Sequence, residues 1–385
     1  MLRDYQNVPY LLLTPGPLST SPDVRSAMWY DSCTWDDDYK NIVSDIRRRL
    51  LHISDCDPAI YTTVLMQGSG TFGVESVLGS SIHANHDCVL ILVNGVYGKR
   101  MVEIAATLKL RYVICEVDEN QVFTYDTVKA ILDKHKEITH IAMVHCETTT
   151  GILNSLEPIA KLAHEYQKHF IVDAMSSFGG VNIDIANLHI DFLISSANKC
   201  IQGVPGFSFV ILKKEKLMEL CKDNAKSLSL DLYGQWNEME KDAGKWRYTS
   251  PTHAVLAFHQ ALLELEEEGG IAARSNRYMK NQQILVDGMR ALGFESYISN
   301  DLQSAIITTF LEPEMIPGTS HKFLFKPFYA YLKNHGFVIY PGKVAHKNSF
   351  RIGSIGYLYP KDITYFLSHV KSFVTEAVLP MDINY

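Results

Sequence analysis

The chain has 385 residues with 46% hydrophobic and 21% charged content, an ordinary globular composition and too long for one domain of about 150 residues. Its net charge of −7 argues against a general nucleic-acid surface, which would be basic, and no apolar run approaches the roughly 18 residues of a membrane span. Seven cysteines without a Cys-x-x-Cys pair, and a start (Met1 to Asn7) without a signal-peptide pattern, point to reduced thiols in a cytoplasmic protein.

In chain order, Met1 to Ser21 reads as an irregular arm, because Thr14-Pro15-Gly16-Pro17 sets two prolines about a glycine. From about residue 60, strand-like runs alternate with helical ones. The expected strands are Tyr61–Met66, Cys88–Val93, Tyr112–Cys115, His140–Val144, Phe170–Asp173, Phe192–Ser195 and Phe207–Leu212. Helices between them include Tyr97–Leu108, Thr127–His135 and Leu156–His169. Strands apolar at consecutive positions are buried on both faces, which predicts an α/β large domain with a mostly parallel seven-stranded sheet. After about residue 252, Ala254, Val255, Ala257, Phe258, Ala261, Leu262 and Leu265 recur at helical spacing. Gly269-Gly270 stops or bends that helix, and a second runs to about Leu292. Strands over Ser304–Phe310, Phe337–Tyr340 and Phe350–Ile352, with helices near Lys322–His335 and Lys361–Val378, predict a smaller C-terminal α/β domain. The expected division is an arm over 1–21, a large domain over 22–265 and a small domain over 266–385.

Lys199 is the most informative residue of this chain. A hydrophobic run, Asp191 to Ile194, ends in small polar residues, then one lysine, then the Gly/Pro-rich stretch Gly203-Val204-Pro205-Gly206. That pattern is a strand delivering a lysine to a turn where backbone and ligand come close. Asp173 ends an earlier strand-like run, Phe170 to Val172. A lysine that forms a Schiff base and an acid that keeps a pyridine nitrogen protonated are what pyridoxal phosphate chemistry requires. Gln67-Gly68-Ser69-Gly70-Thr71 follows the first strand and opens a helix, so its glycines and free N–H groups suit a phosphate. Taken singly, each has a plain alternative: a capped turn at Ser69–Thr71, a helix cap at Asp173, a solvated lysine at Lys199. Together they stand in the order expected of one cofactor site.

Other residues support the same site with alternatives open. His145 to Gly151 ends a strand with hydroxyls, including Thr148, where open α/β sheets bind ligands; a threonine-capped turn is the other reading, and Glu147 a satisfied buried acid. Tyr97 opens a helix and suits either a flat ring or the core. Arg351 lies inside a short apolar strand, where it needs a partner; its fork suits a carboxylate or phosphonate, or an internal salt bridge. The 15 histidines show no metal-binding spacing, so no metal site is expected.

These stretches, with Thr34 to Tyr39, Lys245 to His253 and Phe337 to Val344, resemble the fold-type I, class V aminotransferases over nearly the whole chain. Within them the resemblance is greatest to the branch acting on 2-aminoethylphosphonate and pyruvate. It implies that Lys199 and Asp173 are the catalytic and cofactor-pairing residues, that Ser69, Gly70 and Thr71 cradle the cofactor phosphate, and that Thr148 touches pyridoxal 5'-phosphate. It also implies that Thr249 reaches the phosphate of a neighbouring subunit in a homodimer with shared active sites, and that Arg351 holds the substrate's acid group. Tyr97 matches the ring-stacking position by place only. Two alternatives remain open from the sequence: an alanine–glyoxylate or serine–pyruvate aminotransferase, and a non-catalytic α/β binding protein.

Overall fold

The structure, a computed structural model, describes residues 10–345 and 347–375. Met1 to Asn7 and the end of the expected Lys361–Val378 helix lie outside the described residues. The chain forms two compact units. One takes Thr20–Glu147 and Leu153–Arg274; the other takes the chain up to Ser19, Thr148–Ile152 and the chain from Ser275 onward.

The larger unit is built on seven strands: β1 (Tyr61–Gln67), β2 (Val89–Val93), β3 (Tyr112–Glu116), β4 (His140–Val144), β5 (His169–Asp173), β6 (Phe192–Ser196) and β7 (Phe207–Lys213). Each lies within one residue of its expected bounds. Their order is β1-β7-β6-β5-β4-β2-β3. Strands β2 to β6 pair in parallel, and β7 runs antiparallel to both β6 and β1. Alternate side chains feed two cores: Leu90, Leu92, Ile141 and Phe170 join one, while Val89, Ile91, Val93 and Ile171 join the other. Burial on both faces is why six of the strands carry no hydrophobic alternation, whereas the edge strand β3, expected to be buried like the rest, is largely exposed with only Cys115 buried.

Among the differences from the sequence reading are two helices of the larger unit. The helix expected over Leu156–His169 runs only over Glu157–Glu165. Gln167 takes a left-handed φ of 52° and the Lys168 N–H closes onto the Ala163 carbonyl at 2.7 Å, so His169 is released to pair with His140 in β5. The helix Asp37–Ile53, not singled out from the sequence, buries Tyr39, Val43, Ile46 and Leu50, a spacing of one helical face. Among the described residues no helix is long and apolar enough to cross a membrane.

In the smaller unit the arm is less irregular than expected. Leu11–Leu12 forms a strand parallel to Phe337–Val338, with the Leu11 N–H on the Gly336 carbonyl at 2.7 Å and the Leu13 N–H on that of Val338 at 2.9 Å. The strand expected over Phe337–Tyr340 therefore divides: Tyr340–Val344 pairs instead with Lys347–Gly353, which in turn pairs with Ile307–Leu311. Helices Phe325–Asn334 and Pro360–Thr375 belong to the same unit. Its core centres on Phe350, whose ring lies 5.5–6.0 Å from those of Phe294, Phe310, Phe323, Phe325 and Phe328. Arg351 is the next residue on that strand, so packing around Phe350 sets the strand that carries it.

Phe350→Ala is expected to destabilise this unit by about 3–5 kcal/mol, the cost of a large cavity in a close-packed core. Urea unfolding followed by near-ultraviolet circular dichroism checks it; a loss below about 1 kcal/mol would show that the aromatic cluster does not hold the strand.

Candidate active site

A parallel sheet presents the carboxyl ends of its strands along one edge, and its crevice opens where neighbouring connections leave in opposite directions. Here that point lies between β2 and β4, because β2 is followed by β3 on one side and β4 pairs with its other side. A cavity of about 230 Å³ opens at this edge, lined among others by Ser69, Gly70, Thr71, Tyr97, Arg100, Asp173 and Lys199. Six of these seven are residues the sequence singled out; Arg100 is new.

Ser69 is the N-cap of α1 (Gly70–Ser81) and makes no side-chain capping bond among the described residues. The first-turn N–H groups of α1 therefore keep their favourable field for an anion. Gly70 lies close to another side chain: a Cβ there would come within 2.3 Å of the Met175 sulfur, so a larger residue would need the flexible Met175 side chain to move. Arg100 Nη1 donates to Thr71 Oγ1 at 3.5 Å, at the outer limit of a hydrogen bond, and the guanidinium lies 4.9 Å from the centre of the Tyr97 ring. This sets a cation beside the anion cup.

Asp173 ends β5, opposite Val144 of β4 and Ile194 of β6. It is 5% exposed, and its Oδ1 accepts from the Met175 N–H at 2.9 Å. Burial pushes its carboxyl up to about 6; the Met175 N–H opposes this, the Glu147 carboxylate adds to it, and Lys199 and Arg100 act to lower it. A buried acid beside cations is poised to ionise once a further positive charge arrives.

Lys199 lies in the turn after β6. That turn is closed by the Gln202 N–H on the Lys199 carbonyl at 2.7 Å and the Gly203 N–H on that of Ala197 at 2.9 Å. It is clamped from behind by Arg274, which is 2% exposed. Arg274 Nη1 donates to the carbonyls of Cys200 at 3.0 Å and Ile201 at 3.1 Å, while its Nε donates to Glu268 Oε2 at 2.8 Å. The Cys200 thiol donates to the Ser176 carbonyl at 3.2 Å, joining the lysine turn to the loop after Asp173. Nothing in the sequence marks Arg274, because a charged residue on a helix reads as solvent-facing.

The other proposed site residues stand elsewhere. Thr148 and Arg351 belong to the smaller unit, where Arg351 Nη1 donates to the Thr148 carbonyl at 3.3 Å and Nη2 to that of Pro341 at 3.2 Å. Its guanidinium also lies 5.9 Å from the centre of the Tyr340 ring. Thr148 is fully buried and its Oγ1 has no hydrogen-bond partner among the described residues. Thr249 is exposed and is not among the residues lining the cavity; the neighbouring Ser250 Oγ is 2.5 Å from the Tyr39 hydroxyl, which anchors that turn. Arg100 was legible in principle, three residues after Tyr97 and so on the same helical face.

This donor set fits pyridoxal 5'-phosphate. Gly70 lies close to Met175 in the cradle, a helix N-terminus and a guanidinium face the same cavity, and a buried carboxylate and a lysine complete it.

Comparison with known proteins agrees. The family described as Aminotransferase class-V matches residues 41–324. A 2-aminoethylphosphonate–pyruvate transaminase from Bacillus cytotoxicus is 56% identical over 358 residues, covering 93% of this chain and 96% of that protein. One from Salmonella schwarzengrund is 54% identical over 364 residues, covering 94% and 97%. A bifunctional phosphonoacetaldehyde hydrolase/aminoethylphosphonate transaminase of Clostridioides difficile is 52% identical over 365 residues; the chain spans 56% of that longer protein and 95% of itself is covered. Among solved structures, ureidoglycine–glyoxylate aminotransferase of Bacillus subtilis superposes with a TM-score of 0.85 at 22% identity, covering 97% of this chain and 95% of that one. Alanine–glyoxylate aminotransferase of Nostoc sp. superposes with a TM-score of 0.84 at 24% identity, covering 95% of each. At those identities the structural likeness speaks for the fold.

An acid held above its ordinary value of 3.8, here at about 6, favours the fold fully below about pH 4 and loses that contribution as pH rises through 6. Asp173→Asn, which never ionises, is therefore expected to gain stability over the cofactor-free parent across that window. The gain should reach about 2–3 kcal/mol by pH 7, two pKa units at about 1.4 kcal/mol each. Urea unfolding of both cofactor-free proteins from pH 4 to 8 measures it; a difference independent of pH would show that Asp173 is not the strained acid.

Proposed function

The chain belongs to the class-V aminotransferases, and on that premise we propose that it moves the amino group of 2-aminoethylphosphonate to pyruvate, giving phosphonoacetaldehyde and L-alanine, with pyridoxal 5'-phosphate as cofactor. The observation that carries the chemistry is the buried Asp173 and the clamped Lys199 lining one cavity with an anion cup. The substrate rests on relatives 54–56% identical along nearly their whole lengths. The fold alone serves several amino-group donors.

When bound, pyridoxal phosphate supplies an electron sink next to the amine-bearing carbon. The chain's own residues do the rest. Ser69, Gly70 and Thr71, with the α1 N-terminus, hold the phosphate. Tyr97, which lines the cavity, would cover one face of the ring. Asp173 would set a negative charge at the pyridine nitrogen, and its elevated proton affinity would relax with that cation in place. Lys199 Nζ would hold the cofactor in the resting enzyme. In the donor's half-reaction it would take one proton from the amine-bearing carbon and deliver it to the cofactor side, and in the acceptor's half-reaction it would return one to the new amine-bearing carbon. Thr148 Oγ1, buried and without a hydrogen-bond partner among the described residues, suits a cofactor oxygen. Arg351 receives the acid group, a phosphonate in one half-reaction and a carboxylate in the other; a planar fork suits both.

The same proposal includes a cytoplasmic homodimer with shared sites. None of the seven cysteines forms a disulfide, which supports a reducing compartment. Trp29, Tyr30 and Trp35 are 71–79% exposed in the single chain, which supports their burial against a second copy. Thr249, exposed and just before the helix Thr252–Glu268, would then reach the other subunit's phosphate.

Lys199→Ala is expected to lose transamination and the borohydride-sensitive visible band, yet to retain pyridoxal phosphate non-covalently; residual turnover near the parent's would refute the assignment. Alanine formation from 2-aminoethylphosphonate and pyruvate, set against serine or alanine–glyoxylate mixtures, tests the substrate. A clear preference for either rival pair would replace it.

The sharing is checked by mixing Lys199→Ala with Thr249→Ala subunits at sub-saturating cofactor. One site of the mixed dimer carries both defects and the other neither, so activity per Lys199-containing site should rise. No rise, with subunit exchange verified, would place Thr249 outside the partner's site.

A further inference from the structure

A helix whose N-cap is glycine has no side chain of its own to satisfy its first N–H groups. The helix α2 (Val96–Thr107) is such a case, with Gly95 as its N-cap. Its cap comes from another strand. Glu147, three residues beyond the end of β4, is fully buried, and its Oε2 accepts from the Tyr97 N–H at 3.0 Å. The topology makes this possible: β4 pairs with β2 in parallel, so the loops after Val93 and Val144 leave the sheet side by side. Asn154 ties the two loops together, its Nδ2 donating to the Val144 carbonyl at 2.9 Å and its Oδ1 accepting from Asn94 Nδ2 at 2.8 Å.

Gly95 leaves the room that the carboxylate occupies. A Cβ there would come within 2.3 Å of Glu147 Cδ and Cγ and 2.5 Å of Oε2. The φ of 177° at Gly95 is extended backbone open to any residue, so the glycine is fixed by space and not by backbone strain. Glu147 does not line the cavity, whereas Tyr97, Arg100, Met101 and Ile104, all on α2, do. A carboxylate that fastens the first turn of α2 therefore fixes where the Tyr97 ring and the Arg100 guanidinium meet the cavity.

We propose that Glu147 is a positioning residue for the cofactor, holding Tyr97 and Arg100 at the cavity by capping α2 from the adjacent strand through the space left by Gly95. This rests on the reading of the cavity as a pyridoxal phosphate site. In this role Glu147 acts through the Tyr97 N–H. An acceptor oxygen is its essential feature, so Glu147→Gln, which keeps one, retains most of the effect.

The test measures the dissociation constant of pyridoxal phosphate from the holoenzyme by equilibrium dialysis, with visible circular dichroism of the bound cofactor as a report on ring orientation. Loss of one hydrogen bond to a charged group corresponds to about tenfold in affinity. Glu147→Ala is expected to weaken binding by about that factor and to change the dichroic band, while Glu147→Gln stays within about threefold on the same scale. Gly95→Ala, which displaces the carboxylate without removing it, should reproduce Glu147→Ala and carries the test where that variant does not fold. In a background carrying both Tyr97→Ala and Arg100→Ala, Glu147→Ala should cost less than about twofold more, since both side chains it positions are gone. A full tenfold loss persisting in that background would show general structural support and overturn the proposal, as would unchanged affinity and dichroism in both Glu147→Ala and Gly95→Ala. Failure of the underlying cofactor reading is separately visible, as a parent protein that takes up no pyridoxal phosphate in a Lys199-dependent band.

Discussion

The burial of the Asp173 carboxylate is the constraint on which the larger unit depends. An ionised acid removed from water is costly unless a cation answers it. The fold supplies one backbone N–H, from Met175, and two cations at longer range, Lys199 and Arg100, while Glu147 acts against them. The result is an acid left with raised proton affinity, a state that a cation arriving in the cavity would relieve. Strain of this kind is retained where function uses it.

Around that acid the sheet works as a positioning device. Loops after β1, β2, β4, β5 and β6 meet at one edge because these strands all run in the same direction. Each brings one element of the site: the anion cup, the α2 helix, Glu147, Asp173 and the lysine turn. The lysine turn is the most heavily braced. A buried Arg274 holds two of its carbonyls and the Cys200 thiol ties it to the loop after Asp173. Removing a partner from such a buried charged network costs several times what a surface ion pair is worth.

The smaller unit solves a different problem, placing a guanidinium on a strand whose neighbours are aromatic. Phe350 and Ile352 point into the core and Arg351 lies between them in sequence, so strand alternation turns its side chain to the opposite face. There its donors meet the carbonyls of Pro341 and Thr148.

The amino-acid sequence by itself determined the seven strands of the large sheet, the anion cup, and Asp173 and Lys199, because consecutive apolar runs, Gly-rich turns and charged residues at strand ends are local signals. It missed the end of the helix after Leu156 and the strand at Leu11–Leu12. There, a left-handed Gln167 and pairing with a segment more than three hundred residues away decided the outcome. Only the tertiary structure placed Arg274 behind the lysine turn, Arg100 beside Thr71 and Glu147 at the head of α2. Each acts through a residue distant in the chain or, for Arg100, on a neighbouring helix. A sequence records the polarity of such a side chain, whereas its partner is chosen by which strand ends the sheet sets side by side.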